Sequence, residues 1–186
     1  SIDLSTIKDS SSPQYLIDAS SKHSPEKALE IAGRLPKKVM APREQNDIII
    51  NWAKRDVLSV LDYLNSPNSD AVKKALHRNV YKRIARELAK IDFSLAENYL
   101  AKNQAASFHK TAQAGYLELL AEVSPQIASQ RIIESNLDHR ELKPAYEKLV
   151  ELVSYYDPER ANSYVSEFNV PNGVKKRLRR IIESRN

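Results

Sequence analysis

Residues 149–165 have the sequence LVELVSYYDPERANSYV, in which two apolar stretches with helical spacing flank Asp157-Pro158. The short side chain of Asp157 can accept hydrogen bonds from the free N–H groups that begin a helix. Pro158 has a fixed φ that suits the first helical position, and it lacks an N–H that would be left unbonded there. The stretch therefore predicts a helical hairpin with a sharp turn at Asp157.

The same turn occurs five times along the chain. It recurs at intervals of 32, 36, 32 and 33 residues, at Ser24-Pro25, Asp56-Val57, Asp92-Phe93, Ser124-Pro125 and Asp157-Pro158. Four residues beyond each turn there is a small apolar residue: Ala28, Val60, Ala96, Ala128 and Ala161. Further apolar columns lie three, four, seven and eight positions from the turn, which is the spacing of one helix face. A period near 33 residues is typical of stacked two-helix units.

This pattern predicts an all-α, right-handed α-solenoid of about five two-helix repeats plus a C-terminal helix. We expect a flexible N-terminal segment over 1–12, a repeat domain over 13–173 and a basic terminal helix over 174–186. The predicted units lie near 13–36, 41–67, 69–104, 106–137 and 142–170. In the third unit, the extra residues around Ala71 to Ala75 are expected to extend its first helix, over 69–91. Trp52 falls in an apolar column and is predicted to be part of the core.

Composition excludes several classes of protein and site. The chain has 186 residues, of which 41% are hydrophobic and 28% charged, which is ordinary for a globular domain. It has no cysteine, so disulfides, thiolate nucleophiles and cysteine-type zinc sites are excluded. No apolar run is long enough to cross a bilayer, and no signal-peptide pattern is present. Because the chain starts at Ser1, we expect a processed form or an excised part of a longer protein. The lack of cysteine slightly favours export, for example to a periplasm, over a cytoplasmic location.

The net charge of +5 is concentrated at the C-terminus. Residues 174–186 contain six basic residues against Glu183, which leaves 23 basic and 23 acidic residues in the rest of the chain. Three interpretations are open: a solvated helix that caps the stack, a site for an acidic partner or nucleic acid, and an interrupted repeat of a longer protein. The candidate binding residues of this helix are Lys175, Lys176, Arg177, Arg179 and Arg180.

Signals for catalysis are weak. The sequence contains no glycine-rich phosphate loop, no G-x-S-x-G and no H-E-x-x-H motif. His77 and His109 both lie 15 residues before a turn, which a repeated surface position explains more simply than a metal site. The carboxylates are expected to act as helix caps and surface ion pairs. We therefore expect no enzymatic activity, no cofactor and no metal.

A column of tyrosines lies seven residues after the turns. Tyr63, Tyr99 and Tyr164 occupy it in three units, and Arg131 occupies it in the fourth. One interpretation is packing between units with the hydroxyl at the surface. The other is an aromatic ladder that binds a partner on a concave surface, with Arg131 as part of it.

Taken together, the helical hairpin of 32 to 36 residues and the small residue after the turn resemble tetratricopeptide and HEAT-like α-solenoids. The segments over 52–56 (WAKRD), 88–92 (LAKID) and 157–161 (DPERA) are similar to W-A-x-x-D-P-x-x-A repeats of uncharacterised bacterial proteins. The resemblance implies a scaffold that binds a protein or peptide. Two alternatives are a nucleic-acid-binding module that uses the basic helix, and a helical accessory domain of a larger bacterial cell-envelope enzyme.

Overall fold

A computed structural model describes residues 20–34 and 42–185 of the chain. All of the regular elements in these ranges are helices, which confirms the all-α prediction. After the helical residues 20–23 come α1 (Pro25–Arg34), α2 (Pro42–Ala53), α3 (Val57–Asn65), a 3-10 turn (Pro67–Ser69), α4 (Asp70–Ala75), α5 (Arg78–Ile91), α6 (Phe93–Lys102), α7 (His109–Val123), α8 (Pro125–Glu134), α9 (Lys143–Tyr156), α10 (Pro158–Glu167) and α11 (Asn172–Glu183). The predicted N-terminal segment 1–12 lies outside the described residues.

All five predicted turn positions separate two helices. The small residues four positions beyond the turns are fully buried, with 0% exposure in each case: Ala28, Val60, Ala96, Ala128 and Ala161. Trp52 is buried, as predicted. This column therefore lies on a buried face of the second helix in each hairpin.

Aspartate caps the second helix at three of the turns. The carboxylate oxygen Oδ1 of Asp157 accepts from the N–H of Arg160 at 2.9 Å, and Asp92 accepts from the N–H of Ser94 at 2.6 Å. Asp56 accepts from both the N–H and the hydroxyl of Ser59, and these bonds hold the pKa of Asp56 below its usual value.

The predicted cap at Ser124 is not made by its side chain. Ser124 has φ −148° and ψ 73°, close to the −150° and 78° of Asp157, but its hydroxyl forms no capping bond. Ser124 is one bond shorter than aspartate, and at this backbone geometry the turn is held by the main chain, with the Ala128 N–H donating to the Ser124 carbonyl at 2.9 Å.

The described residues form two compact units, divided between Glu87 and Leu88 inside α5. In the first unit, α2 packs against α1 and α3, and α4 packs against α1 and α2. The guanidinium of Arg55 donates to the carbonyls of Ser21 and Lys22, so the first two turns are adjacent.

The expected continuous helix over 69–91 is wrong. The chain forms the short helix α4, and Leu76 then takes an extended conformation, φ −67° and ψ 130°, before α5 begins. The break is stabilised by polar groups around His77. Its N–H donates to Asn46 Oδ1 at 2.8 Å, and its Nδ1 accepts from the Asn79 N–H at 3.3 Å.

In the second unit, α9 is the central helix. It packs against α7, α8, α10 and α11, and Leu149 on α9 is completely buried. Tyr146 of α9 packs on Phe168, with ring centroids 4.5 Å apart, and burial raises the pKa of Tyr146 to about 12. Helix α11 covers α9 and α10 with an apolar side that includes Leu178 and Ile182.

None of the helices in residues 20–34 and 42–185 has the length and apolar character needed to cross a membrane.

Candidate partner-binding site

A tight turn before α9 positions two basic side chains at the surface of the second unit. Asp138 Oδ1 accepts from the N–H groups of Arg140 and Glu141 at 2.6 and 3.1 Å, and the Asp138 N–H donates back to the Glu141 carboxylate. These bonds lower the pKa of Asp138. The reciprocal bonding resembles a capping box, and the buried Leu142 anchors the end of the turn.

This turn forms one wall of a pocket of about 260 Å³ between α9 and α11, which we call the Arg140 pocket. Its lining consists of His139, Arg140, Lys143, Tyr146, Glu147, Val174, Arg177 and Leu178. Arg177 Nη2 lies 2.9 Å from Glu147 Oε1, an ion pair without hydrogen-bond geometry. Neither Arg140 nor Lys143 forms an ion pair with another described residue. The lining residues therefore carry two positive charges in excess, next to apolar groups on α9 and α11. The carboxylate of Asp138, in the turn beside the pocket, also attracts Arg140.

The basic residues predicted on α11 point in different directions. Lys175 donates to the carbonyl of Ser166 on α10 at 2.7 Å, and Arg177 lines the Arg140 pocket. Three others are exposed and have no hydrogen-bond or ion-pair partner among the described residues: Lys176, Arg179 and Arg180. Their spacing places these three on one helix face, which Glu183 continues.

The three tyrosines of the column pack against neighbouring side chains. Tyr63 lies against Trp52, with ring centroids 5.5 Å apart, and Tyr99 stacks on Phe108 at 6.5 Å. Tyr164 is only 7% exposed, and its hydroxyl accepts from Arg160 Nε at 2.8 Å. Of these contacts, only the one between Tyr99 and Phe108 joins two predicted units, as the packing interpretation expects. Binding of a partner by the three rings stays a prediction.

Arg131, predicted as the fourth member of that column, lines a second concavity, which we call the Glu97 cleft. The cleft measures about 420 Å³ and lies among α6, α7 and α8. Glu97 Oε1 accepts from the Tyr116 hydroxyl at 2.8 Å and lies 3.5 Å from Arg131 Nη2. Burial, together with this bond, raises the pKa of Tyr116 far above its usual value, so the hydroxyl stays protonated and donates to Glu97.

His109 begins α7 at the edge of the Glu97 cleft. Its Nδ1 is buried and has no hydrogen-bond partner in the described part of the chain. Among the described residues, no group of three or more histidine, aspartate or glutamate side chains could hold a metal ion.

Large apolar side chains are exposed next to the turns of the second unit. Three directly precede the turn residue (Ile91, Val123 and Tyr156), two lie three residues after it (Leu95 and Ile127), and Tyr155 lies two residues before Asp157. All six are between 37% and 85% exposed. We call this set the turn row. In the first unit, the corresponding positions beside Asp56 hold Arg55 and Ser59.

Comparison with known proteins gives no relative: no family model, no curated protein and no solved structure matches the chain. Sequence reasoning identified Arg131 and Arg177, but it missed Arg140, Lys143 and the turn row. The Asp138–Glu141 spacing before the apolar Leu142 is the signal that could have indicated an ordered turn there.

Proposed function

We propose that this chain is a non-catalytic helical-repeat scaffold that binds a protein or peptide partner. The main support for the proposal is the exposure of the apolar side chains in the turn row. Single exposed apolar residues are common on any protein surface, but here the position directly before the turn is apolar and exposed in three successive hairpins, at Ile91, Val123 and Tyr156. The position three after the turn is apolar and exposed in two of them, at Leu95 and Ile127. Because hydrophobic contact drives most protein association, such a recurrent row suits a partner surface of the same character.

The proposal includes a right-handed α-solenoid, in which the turns of stacked hairpins form one edge. Contacts between residues one period apart support this arrangement within each unit. Arg55 reaches the carbonyl of Ser21 in the first unit. In the second, Arg185 pairs with Glu151 at 2.6 Å, and Arg177 pairs with Glu147, so α11 runs in the same direction as α9. The resemblance to tetratricopeptide and HEAT-like repeats belongs to the same proposal.

Three carboxylates have lowered pKa values because they accept hydrogen bonds within a turn or helix. Asp56 and Asp138 accept hydrogen bonds from their turns, and Asp70 accepts one from Lys73, so the pKa of each is lowered. A general acid needs the opposite shift, toward neutral pH. The direction of these shifts suits residues that stabilise turns.

The proposal is tested by affinity enrichment from a lysate of the source organism. We would compare the wild-type chain with the triple variant Val123→Ser, Ile127→Ser, Tyr156→Ser and count a protein as a partner only if it is enriched by the wild type and lost with the triple variant. Leu58→Ser is the matched control, since Leu58 is 48% exposed and lies outside the turn row. The expected result is a partner retained by the control. A partner profile that is identical for all three proteins would contradict the proposal, provided that each has a wild-type circular dichroism spectrum.

Nucleic-acid binding is a second candidate, supported by the three unpaired cations of α11. Their replacement in Lys176→Gln, Arg179→Gln, Arg180→Gln removes the exposed charge and leaves Arg177 paired with Glu147. If phosphates bind there, the wild type should bind a DNA or RNA oligonucleotide with a steep salt dependence that the variant loses. No retention of the wild type on heparin at low salt would eliminate this candidate.

A further inference from the structure

The Arg140 pocket combines unpaired positive charge with an apolar surface. We propose that it binds the C-terminus of a partner polypeptide, with the terminal carboxylate facing Arg140 and Lys143. The last side chain, which is apolar, lies on Val174 and Leu178. This inference rests on the proposed function, because it names the part of a protein partner that this pocket receives.

Charge is the first argument. Arg140 and Lys143 lie in the same pocket and form no ion pair with a described residue, whereas Arg177 is already paired with Glu147. A carboxylate can accept hydrogen bonds from guanidinium and ammonium groups, and such charge-assisted bonds are stronger than neutral ones. The ligand group that complements this pocket is therefore an anion.

Shape and polarity decide what the anion is attached to. The pocket contains Val174, buried Leu178 and the ring of buried Tyr146, in a volume of about 260 Å³. A fully hydrated phosphate or sulfate would leave this apolar surface unused. Binding pockets typically combine an apolar lining with a few polar groups that fix the ligand's orientation. An apolar C-terminal residue supplies both parts at once, because its carboxylate and its side chain leave the same Cα atom.

The pocket is held in shape before any ligand arrives. Asp138 fixes the backbone of Arg140 through bonds of 2.6 and 3.1 Å to the turn, and the ring of Tyr146 packs on Phe168. A preformed site pays less conformational entropy on binding. A nucleic acid suits this place less well, because its phosphates are spaced along a surface and the free cations of α11 lie on a separate helix face.

The test uses fluorescence anisotropy with three fluorescein-labelled hexapeptides of sequence Gly-Ser-Gly-Ser-Ala-X. The first ends in leucine with a free carboxylate, the second ends in leucine amide, and the third ends in serine with a free carboxylate. The free leucine peptide is expected to bind about tenfold more tightly than either of the other two, since each lacks one of the two interactions. Equal binding of the leucine acid and the leucine amide, or no binding of any peptide at about 1 mM, would overturn the inference.

Two charge variants distinguish the pocket from general electrostatics. Arg140→Gln, Lys143→Gln is expected to weaken binding of the free leucine peptide about tenfold. Lys176→Gln, Arg179→Gln removes the same charge outside the pocket and is expected to leave the affinity unchanged. If both variants lose affinity equally, or if a DNA or RNA oligonucleotide displaces the peptide completely from the wild type, the inference is wrong.

The outcome of this peptide experiment is independent of the outcome of the enrichment experiment, because the two test different surfaces. The triple variant of the turn row leaves the Arg140 pocket intact, and the pocket variant leaves the turn row intact. A partner that depends on the turn row, together with absent peptide binding, would contradict only the C-terminus inference. If the peptide binds but no partner depends on the turn row, the argument that the turn row binds the partner would be contradicted.

Discussion

Replacing Asp157 by alanine tests the turn mechanism quantitatively. The Asp157 carboxylate caps α10 through a 2.9 Å bond to the Arg160 N–H. Loss of such a cap costs about 1 kcal/mol, and the exposed surroundings of the turn limit any added interaction with the helix dipole to a fraction of that. For a chain of this length, about 1 kcal/mol corresponds to a fall in melting temperature of roughly 2–4 °C.

Ser124→Ala is the matched control for this substitution. Ser124 occupies the same turn position with nearly the same backbone angles, and both residues precede a proline, but its side chain makes no capping bond. We expect its loss to change the free energy of unfolding by no more than about 0.5 kcal/mol. Asp157→Asn should stay close to the wild type, because asparagine is an equally good cap.

Urea unfolding followed by circular dichroism at 222 nm measures all three variants. The expected order of stability is wild type, Asp157→Asn and Ser124→Ala close together, with Asp157→Ala clearly lower at an unchanged denaturant slope. An equal loss for Asp157→Ala and Ser124→Ala, or no loss for either, would refute the assignment of the cap to the carboxylate.

Three further outcomes follow from local contacts. Asp56→Asn should be less stable than the wild type at neutral pH, because the second carboxylate oxygen of Asp56 accepts from the Ser59 hydroxyl and the amide nitrogen of asparagine cannot. The bonds from Ser59 lower the pKa of Asp56, so this advantage of the wild type is present above pH 3.8 and disappears as the pH falls through the lower folded-state pKa. Urea unfolding across a pH series would show this loss. Leu149→Ala should cost about 2–5 kcal/mol, whereas Tyr155→Ala, at an 85% exposed position, should cost less than about 0.5 kcal/mol in the same assay; equal costs would contradict the assigned burial. Tyr116→Phe keeps the ring and loses the hydroxyl bond in the Glu97 cleft, so we expect a loss of about 1 kcal/mol by thermal unfolding, and a more stable variant would argue against that bond.

The positions of the turns and the buried columns could be predicted from sequence because each depends on local spacing. Asp92, for example, follows an apolar face and precedes another, and short-range helix rules suffice to place a turn there. The break before α5 could not be predicted in this way. Leu76 and His77 do not exclude a helix, and the break involves a bond from His77 to Asn46, 31 residues earlier in the chain.

The binding surfaces were predictable only in part. Arg131 was found because it replaces tyrosine in a repeated column, which placed it on the face that lines the Glu97 cleft. The Arg140 pocket was missed because it forms only where the turn before α9 lies beside α11. Arg140 and Leu178 are far apart in the sequence, and no sequence pattern indicates that they come together. Ile127 was missed because an apolar residue in an amphipathic helix is ordinarily assigned to the core.

Hydrogen exchange with and without the captured partner tests the central claim most directly. Binding through the turn row predicts that the partner slows amide exchange in segments 91–95, 123–127 and 155–157, with no change in α3 around Leu58. Slowed exchange confined to segments outside the turn row, with these three unchanged, would contradict the account.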